Sequence, residues 1–331
     1  MAYGNYGQSN LILAGDYNAI VGTNPVTQSG STYPVNAVWG TGHGDSGYGQ
    51  TPVPTVSQAG LITAGQWATM LQTLDACYKQ QTGSATGVTY PTSGGTVAYN
   101  PNLAGYLSTA YSNRLLYNGT NGSTSTTATG ASQSYALSAA TTTSQVNFSF
   151  SRTITFSSAD AARYFFNAGG GITFTSVSFT GSNGTGRSND LQTLMGTYFG
   201  NFQAIRAYTN TGRSGTGGTP TLNTAYGYWN AGTGSATAGS GAQVAKIQST
   251  NYPYSGDYIQ LNIATNGATG SNGDVGNILY LNFTIVAGAL QGTNTSPDHA
   301  IGLTWNHRID VIQPNTAYLP TQYGASYITI S

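Results

Sequence analysis

Apolar and polar side chains alternate through residues 146–156, which read Val146-Asn-Phe-Ser-Phe-Ser-Arg-Thr-Ile-Thr-Phe156. A period of two places the apolar side chains on one face of a β-strand, and Arg152 alone interrupts that face. The same alternation returns in four later segments: 259–263, 279–285, 301–305 and 309–311. Because Asn-Gly and other Gly-rich turns separate these segments, the pattern predicts a mainly β protein whose body is an antiparallel β-sandwich.

A few short helices are expected in front of this β-rich part. Thr63 and Gln66 fit a capping box, in which each side chain bonds a free backbone N–H at the start of a helix. Trp67 then begins a series of apolar positions at helical spacing, and Gly83 lies beyond its end. A weaker helical pattern covers residues 10–21. The N-terminal part is therefore expected to contain an amphipathic helix with one buried face.

Two further short helices are expected inside the β-rich part, at about 158–168 and 189–198. The first ends at the triplet Gly169-Gly-Gly171, which is typical of a helix stop before a strand. Phe165 and Phe166 of this helix are expected to anchor it to the sheet.

The chain divides by composition into three parts. Residues 1–117 contain the N-terminal helical patterns and an ordered Gly- and Pro-rich loop at 33–60. Residues 118–145 are predicted to form a linker or loop, since Ser, Thr and Gly dominate there. Residues 146–331 are predicted to form the β-sandwich with its two inserted helices.

Composition limits the classes of function. Charged residues make up 5% of the 331 residues, against about 25% in an ordinary globular protein, and glutamate is missing altogether. A formal net charge of zero gives no electrostatic footprint for nucleic acid, and no apolar run approaches the roughly 20 residues of a membrane span. The 24 tyrosines and 38% hydrophobic residues argue against disorder. A neutral, hydrogen-bonding surface favours a structural part of an assembly over a free enzyme.

Residue patterns for catalysis, metal binding or a cofactor are missing from the sequence. Cys77 is the single cysteine and lies near the apolar face of the predicted helix, which favours an inert buried thiol. Asp160 and Asp190 fall in the first turns of the two helices of the β-rich part, where a carboxylate offsets the helix dipole. Three histidines lack the spacing of metal ligands and are expected to be polar loop residues: His43, His299 and His307.

Several short motifs together resemble virion structural proteins of tailed bacteriophages, of the type common in marine and cyanobacterial phages. Four of them lie in the N-terminal part: Asp16-Tyr-Asn-Ala-Ile20, Gly47-Tyr-Gly-Gln50, Ala64-Gly-Gln-Trp67 and Gln80-Gln-Thr-Gly83. A fifth, Ala162-Arg-Tyr-Phe-Phe-Asn-Ala-Gly-Gly170, precedes an alternating strand. The four N-terminal motifs form one block and the fifth motif forms a second, and these two blocks together touch about half of the chain. The resemblance implies a building block and carries over no catalytic residue.

The resemblance implies a virion protein, made in the host cytoplasm, that belongs to the tail, a fibre or the baseplate. Residues 1–117 are then a docking region shaped by Trp39, Tyr48, Gln50 and the Trp67 helix. The expected partners are copies of the same chain, as a trimer or hexamer, and other virion proteins. Neither nucleic acid nor membrane insertion is expected.

Three alternatives remain open from the sequence. The chain could decorate or cement a capsid, or form part of a neck. The sandwich could instead be a carbohydrate-binding module for a host surface glycan, with exposed Tyr226, Tyr228 and Trp229 as stacking platforms in a Gly-rich loop. A surface-layer protein or adhesin is a third reading, which the start Met-Ala-Tyr-Gly disfavours because it lacks the regions of a secretory signal.

Overall fold

The fold was analysed in a computed structural model of the chain. It describes residues 12–22, 33–42, 44–95, 97, 100–117, 123–128, 130, 132–140, 144–181, 184–199, 202–208, 227–267, 276–290, 299–314 and 317–331. The helices are α1 (Ala14–Val21), α2 (Val35–Val38), α3 (Ala64–Thr82), α4 (Leu103–Ser112), α5 (Ala159–Asn167) and α6 (Gly186–Thr193). No helix among these residues is both long enough and apolar enough to cross a membrane.

The strands form two antiparallel sheets. Sheet I has the order β1–β9–β4–β5, and β2 also pairs with β9. Its strands are β1 (Ser123–Ala128), β2 (Gln133–Ala139), β4 (Gly171–Thr180), β5 (Phe202–Ile205) and β9 (Ile301–Pro314). Sheet II has the order β10–β3–β8–β7–β6. Its strands are β3 (Val146–Phe156), β6 (Ala242–Gln248), β7 (Tyr258–Thr265), β8 (Ile278–Ala287) and β10 (Ile328–Ile330).

The sheets pack face to face through the inward residues of the alternating strands. Phe174 of sheet I and Phe283 of sheet II have ring centroids 4.6 Å apart, and Phe150 meets Trp305 at 5.9 Å. Phe174, Phe283 and Trp305 are each at most 1% exposed. Burying one such side chain contributes about 1.5–3 kcal/mol, so this layer is the main source of stability. The predicted mainly β, antiparallel sandwich is confirmed.

The predicted linker is wrong. Residues 118–145 contain two strands of sheet I, which lie one after the other along the same edge of β9. β1 reads Ser-Thr-Ser-Thr-Thr-Ala, and in β2 Leu137 alone is fully buried. Such a stretch lacks an apolar alternation, but threonine suits a strand because its branched Cβ fits the pleated backbone.

The N-terminal helices form a second core beside the sandwich. The capping box of α3 is confirmed, since Thr63 Oγ1 accepts the Gln66 N–H (3.2 Å) and Gln66 Oε1 accepts the Thr63 N–H (2.8 Å). Gly83 ends the helix at φ +80°, in the left-handed conformation that favours glycine. Trp67 is 1% exposed and packs beside Tyr17 of α1, with ring centroids 6.1 Å apart.

Asp75 ties α3 to the segment that follows it. Its carboxylate accepts the Thr86 N–H (2.6 Å) and the Tyr90 hydroxyl (2.9 Å), and it pairs with Lys79 at 3.0 Å. Burial alone would raise the pKa of Asp75, but these donors outweigh it and hold the pKa below the ordinary value. The segment after α3 is therefore fixed by a charged group in the helix.

Both helices of the β-rich part exist. Phe165 and Phe166 of α5 are fully buried and pack on Phe156 of β3, with ring centroids 5.4 and 5.5 Å away. α6 begins at Gly186, three residues earlier than predicted, and continues into a π-helical turn, Leu194–Phe199.

Candidate functional site

The Gly-rich loop 40–50 lies at the junction between the N-terminal helices and the sandwich. Its two ends are closed by backbone bonds: the Tyr48 N–H donates to Val38 O (2.8 Å) and the Gln50 N–H donates to Trp39 O (3.0 Å). The turn between them carries carbonyl groups that need donors, because buried backbone oxygens are costly to leave unpaired.

Helix α5 supplies those donors from the sandwich side. The Arg163 guanidinium donates to three loop oxygens: Thr41 O (2.7 Å), Gly44 O (3.0 Å) and Ser46 O (3.3 Å). One turn later, Asn167 Nδ2 donates to Gly47 O (3.2 Å). Arg163 is 6% exposed and Asn167 is fully buried. A single helix of the β-rich part thus fixes the path of the N-terminal loop.

Residues near the C-terminal end of the sequence fix the other side of the loop. Gln50 Nε2 donates to Thr321 O and Gln50 Oε1 accepts the Thr321 N–H, both at 2.8 Å. The Tyr323 hydroxyl donates to Gly49 O (3.0 Å). These side chains join segments 271 residues apart in sequence, so the loop is part of one packed body with the sandwich.

Tyr48 links the loop to the helical core. Its side chain is fully buried, its hydroxyl donates to Arg114 O (2.9 Å), and it accepts Gln81 Nε2 (3.0 Å). Burial raises the pKa of Tyr48, so the phenol stays neutral. Nearby, Arg114 pairs with Asp45 of the loop at 2.8 Å.

Two glycines of the loop are required by geometry. Gly47 has φ +91°, and a Cβ there would lie 2.5 Å from Thr41 O. Gly49 has φ +68°, and a Cβ there would lie 2.4 Å from the Tyr164 ring. Any larger residue would be strained in both backbone and contact.

The residues predicted to shape a docking region are mostly buried within the chain. Tyr48, Gln50 and Trp67 are at most 2% exposed. Trp39 is half-buried and its indole N–H donates to Thr51 O (2.9 Å). These residues hold the region together, and a partner would have to contact others.

The predicted glycan platform is wrong for two of its three residues. Tyr228 is 1% exposed and Trp229 is 6% exposed. Tyr228 stacks on Phe166 with ring centroids 4.4 Å apart, and the Trp229 indole donates to Asn167 Oδ1 (3.0 Å). Core packing uses both rings, so neither can stack on a sugar. Tyr226 lies outside the described residues.

An apolar groove opens between the start of α1 and the segment that precedes α3. Residues 12–16, Asn18 and 58–62 line it, and its volume is about 720 Å³. Leu13 and Leu61 stand at this groove with exposed fractions of 59% and 90%. Contiguous exposed apolar surface of this kind marks contact sites in soluble proteins.

The walls of the groove are held by specific bonds. Asp16 Oδ2 accepts the Leu13 N–H (3.0 Å) at the start of α1. Asn18 exchanges two bonds with the backbone of Val56, each 2.8 Å long. Ala59 has φ +64°, which costs an L-residue about 1–2 kcal/mol. The groove is thus preformed in the chain.

Sequence reasoning missed this groove, although one signal was present. Ile62 directly precedes the α3 cap, which is the position of a hydrophobic staple, an apolar side chain that packs onto the first helical turn. Two adjacent apolar residues cannot both make that contact, so Leu61 had to point elsewhere. Its exposure follows from this geometry.

A buried ion pair joins α6 to the residues that flank β7 and β8 of sheet II. Arg187 of α6 pairs with Asp257 at 3.0 Å and donates to Gly288 O, and both charged side chains are at most 1% exposed. The Gly288 N–H donates to Asp257 Oδ1 (2.8 Å). Burial raises the pKa of Asp257 to about 6, and the charge of Asp190 adds to that effect.

The interpretation of Asp190 as a first-turn carboxylate is wrong. Because α6 begins at Gly186, Asp190 lies in its second turn and is 6% exposed. Its Oδ1 accepts Ser249 Oγ (2.8 Å) and Asn251 Nδ2 (2.6 Å). Burial raises its pKa. Asp160 does lie in the first turn of α5, as predicted.

The interpretation of His307 as a loop residue is also wrong. It lies in β9, 2% exposed, with its ring 4.8 Å from Phe150 and 5.3 Å from Phe174. Within the described residues neither ring nitrogen meets a side-chain partner, and the Trp305 backbone is the polar group that acts on the ring. Burial first, and then the nearby Arg152 charge, lower the pKa of His307 to about 4. His307 occupies an inward-facing position of β9 among aromatic core residues.

His299 lies just before β9, outside the strands as predicted, and is 2% exposed, whereas His43 lies outside the described residues. Within the described ranges, no group of three or more His, Cys, Asp or Glu side chains is placed to hold a metal ion. Cys77 is buried and burial raises the pKa of its thiol, which keeps the thiol protonated and unreactive.

Comparisons of this chain with protein-family models, with curated proteins and with solved structures find no match.

Proposed function

We propose that this chain is a structural component of a tailed-phage virion, in a tail, fibre or baseplate position, and that it acts by self-assembly and by docking to other virion proteins. The observation that carries the proposal is the preformed apolar groove of residues 12–16, Asn18 and 58–62, with Leu13 and Leu61 exposed beside it. A protein that worked alone would gain nothing from holding these side chains in water.

The junction around the Gly-rich loop supports the same role. Arg163, Gln50 and Tyr323 join the helical region to the sandwich through partly buried hydrogen bonds. A load applied at the groove is therefore transmitted to the sandwich, because these bonds join the helical region and the sandwich. A component that fixes the distance between its neighbours needs such coupling.

Burial of Tyr228 and Trp229 removes the support that the sequence gave to a glycan-binding role. The low charge of the surface supports assembly, since few like charges oppose close packing of copies.

The mass of the purified chain in solution tests the proposal, by light scattering over a wide concentration range with an unboiled SDS gel of the same sample. A stable trimer or hexamer is expected, and resistance to SDS would strengthen the case. A monomer at every concentration would contradict self-assembly.

A further inference from the structure

We propose that the sandwich binds a chloride ion in its interior, between Arg152 of sheet II and His307 of sheet I. Neither side chain belongs to the groove or to the junction around the Gly-rich loop. The site is therefore independent of the assembly role proposed above.

Arg152 is a buried cation without a counter-charge. It is 1% exposed and lies among the inward-facing residues of β3. Its Nε donates to Ser331 O (3.2 Å), an oxygen that also accepts the Thr153 N–H, and its Nη1 has no hydrogen-bond partner among the described residues. In this part of the chain no aspartate forms an ion pair with it. Burial lowers the pKa of Arg152, but a guanidinium stays charged at neutral pH, and a buried charge is costly unless it is paired.

His307 supplies a second donor from the opposite sheet. It is 2% exposed, and its ring nitrogens meet no side-chain partner within the described ranges. Its ring lies 4.8 Å from that of Phe150, the inward-facing residue next to Arg152 along β3. A neutral imidazole keeps one N–H that can donate to an anion. Two buried side chains, one from each sheet, thus have free donors in the same region of the core.

The charge of this region determines which ligand fits. The guanidinium contributes one positive charge, and the imidazole is neutral near pH 7 because its pKa is lowered to about 4. One negative charge therefore balances the site, whereas a divalent anion would leave an excess charge buried in the core. Water could accept a hydrogen bond from Arg152 but would leave its charge without compensation. A small monovalent anion such as chloride meets both needs.

The open side of the sandwich gives the anion a way in. β10 pairs with the last three residues of β3 and leaves the preceding edge without a strand partner in the described structure. At Ser149 this edge is bonded by the Tyr135 hydroxyl from the other sheet, at 2.8 and 3.2 Å. Gln133 pairs directly with His307, so its exposed side chain lies on the same face of sheet I. The two donors therefore lie close to an edge of the sandwich that solvent reaches.

Thermal unfolding in chloride tests the proposal. Chloride replaces gluconate, which is too large to enter the core, at a constant ionic strength that keeps charge screening fixed. With a dissociation constant of about 1 mM, raising chloride from about 1 to about 100 mM should raise the Tm by about 3 °C. Bromide should produce a rise as well.

Two arginine variants locate the effect. Arg152→Met removes the buried charge but keeps an apolar stem of similar length, so it is expected to fold and its Tm should not respond to chloride. The matched control is Arg308→Met, which changes an arginine whose side chain is 36% exposed and pairs with Asp310. This control should keep the full response to chloride.

The imidazole gives a second readout in the natural chain. A bound anion beside His307 favours the protonated ring, so chloride should raise the pKa of His307 by about one unit in an NMR titration. The His307→Phe variant identifies the resonance. This measurement needs no arginine variant and remains decisive if Arg152→Met does not fold.

The outcomes are distinct. A chloride-dependent rise in Tm that is lost in Arg152→Met, together with a raised pKa of His307, would support the site. An equal rise in Arg152→Met would place the anion elsewhere and refute the proposal, as would an unchanged Tm and pKa in the natural chain at every chloride concentration. None of these results depends on the mass of the assembly, so the proposed function is tested separately.

Discussion

Protonation of one buried histidine is expected to make the sandwich sensitive to acid. His307 lies among Phe150, Phe174 and Trp305 in the core, and its pKa is lowered to about 4 by burial and by the Arg152 charge. In the unfolded chain the same imidazole has a pKa of about 6.5. Between these values the unfolded chain binds a proton that the folded chain does not, so the free energy of unfolding falls as the pH falls.

The size of this effect follows from the two pKa values. A difference of about 2.5 units, at 1.36 kcal/mol per unit, gives about 3 kcal/mol of stability that is present above pH ~6.5 and lost by pH ~4. Natural domains have about 5–15 kcal/mol in total, so the loss is a large share. Asp190 and Asp257 act in the opposite sense, because their raised pKa values favour proton uptake by the folded chain.

His307→Phe isolates the histidine from these opposing groups. The variant keeps the aromatic packing and removes two buried ring nitrogens that have no side-chain partner, so it is expected to be no less stable than the natural chain at pH 7. Its advantage should then grow by about 3 kcal/mol between pH 6.5 and pH 4. Urea unfolding at half-unit steps of pH measures both curves. Phe165→Leu serves as control, because the Phe165 ring packs on Phe156 and Phe166 whereas the imidazole packs on Phe150, Phe174 and Trp305, and its deficit should not vary with pH.

Parallel stability curves for the natural chain and His307→Phe would refute this reasoning. They would mean that water or a neighbouring group pairs with the imidazole and that it does not titrate as a buried, unpaired ring.

Four other substitutions test the junctions of the fold. Asp75→Asn should lower the free energy of unfolding by about 2 kcal/mol at pH 7. The deficit should shrink as the pH falls below ~4, because the unfolded natural chain then binds a proton that the folded carboxylate resists; a deficit independent of pH would contradict the lowered pKa of Asp75. Gly49→Ala forces a Cβ to 2.4 Å from the Tyr164 ring, so the amides of the loop should exchange hydrogen at least about tenfold faster, and unchanged exchange would mean that the loop is not held as described. Gln50→Leu strips the partners from the Thr321 backbone and should cost about 2–3 kcal/mol in urea unfolding, whereas Tyr323→Phe, which removes one bond, should cost about 1 kcal/mol; equal costs would contradict this account.

The sandwich was predictable because strand periodicity records which face of each strand is buried. Apolar and polar side chains alternate with few exceptions in residues 146–156 and 301–311. In the structure both segments are strands whose apolar face points to the core. β1 and β2 were not predicted, because β1 reads Ser-Thr-Ser-Thr-Thr-Ala without an apolar alternation and β2 has a single fully buried side chain, Leu137.

The junction and the groove could not be predicted in the same way. The bonds between Gln50 and Thr321 span 271 residues, and no local pattern encodes a contact of that separation. Tyr228 and Trp229 were misplaced for a related reason: an aromatic pair in a Gly-rich segment has the same local sequence whether it packs inward or outward. Only the fold decides between the two.

Nearly half of the charged residues of this chain are buried in its interior. Three arginines and five aspartates of the described residues are buried: Arg152, Arg163, Arg187, Asp16, Asp75, Asp190, Asp257 and Asp310. These are eight of the eighteen charged residues, so at most ten remain to keep copies apart in solution. Inside the fold, Arg163 and Asp75 fix the backbone of irregular segments through hydrogen bonds. Outside it, Ser, Thr, Asn and Tyr offer hydrogen bonds without repulsion. The described charges thus act largely through buried contacts with neighbouring segments, a distribution that the proposed assembly role would use because it leaves few charges on the surface.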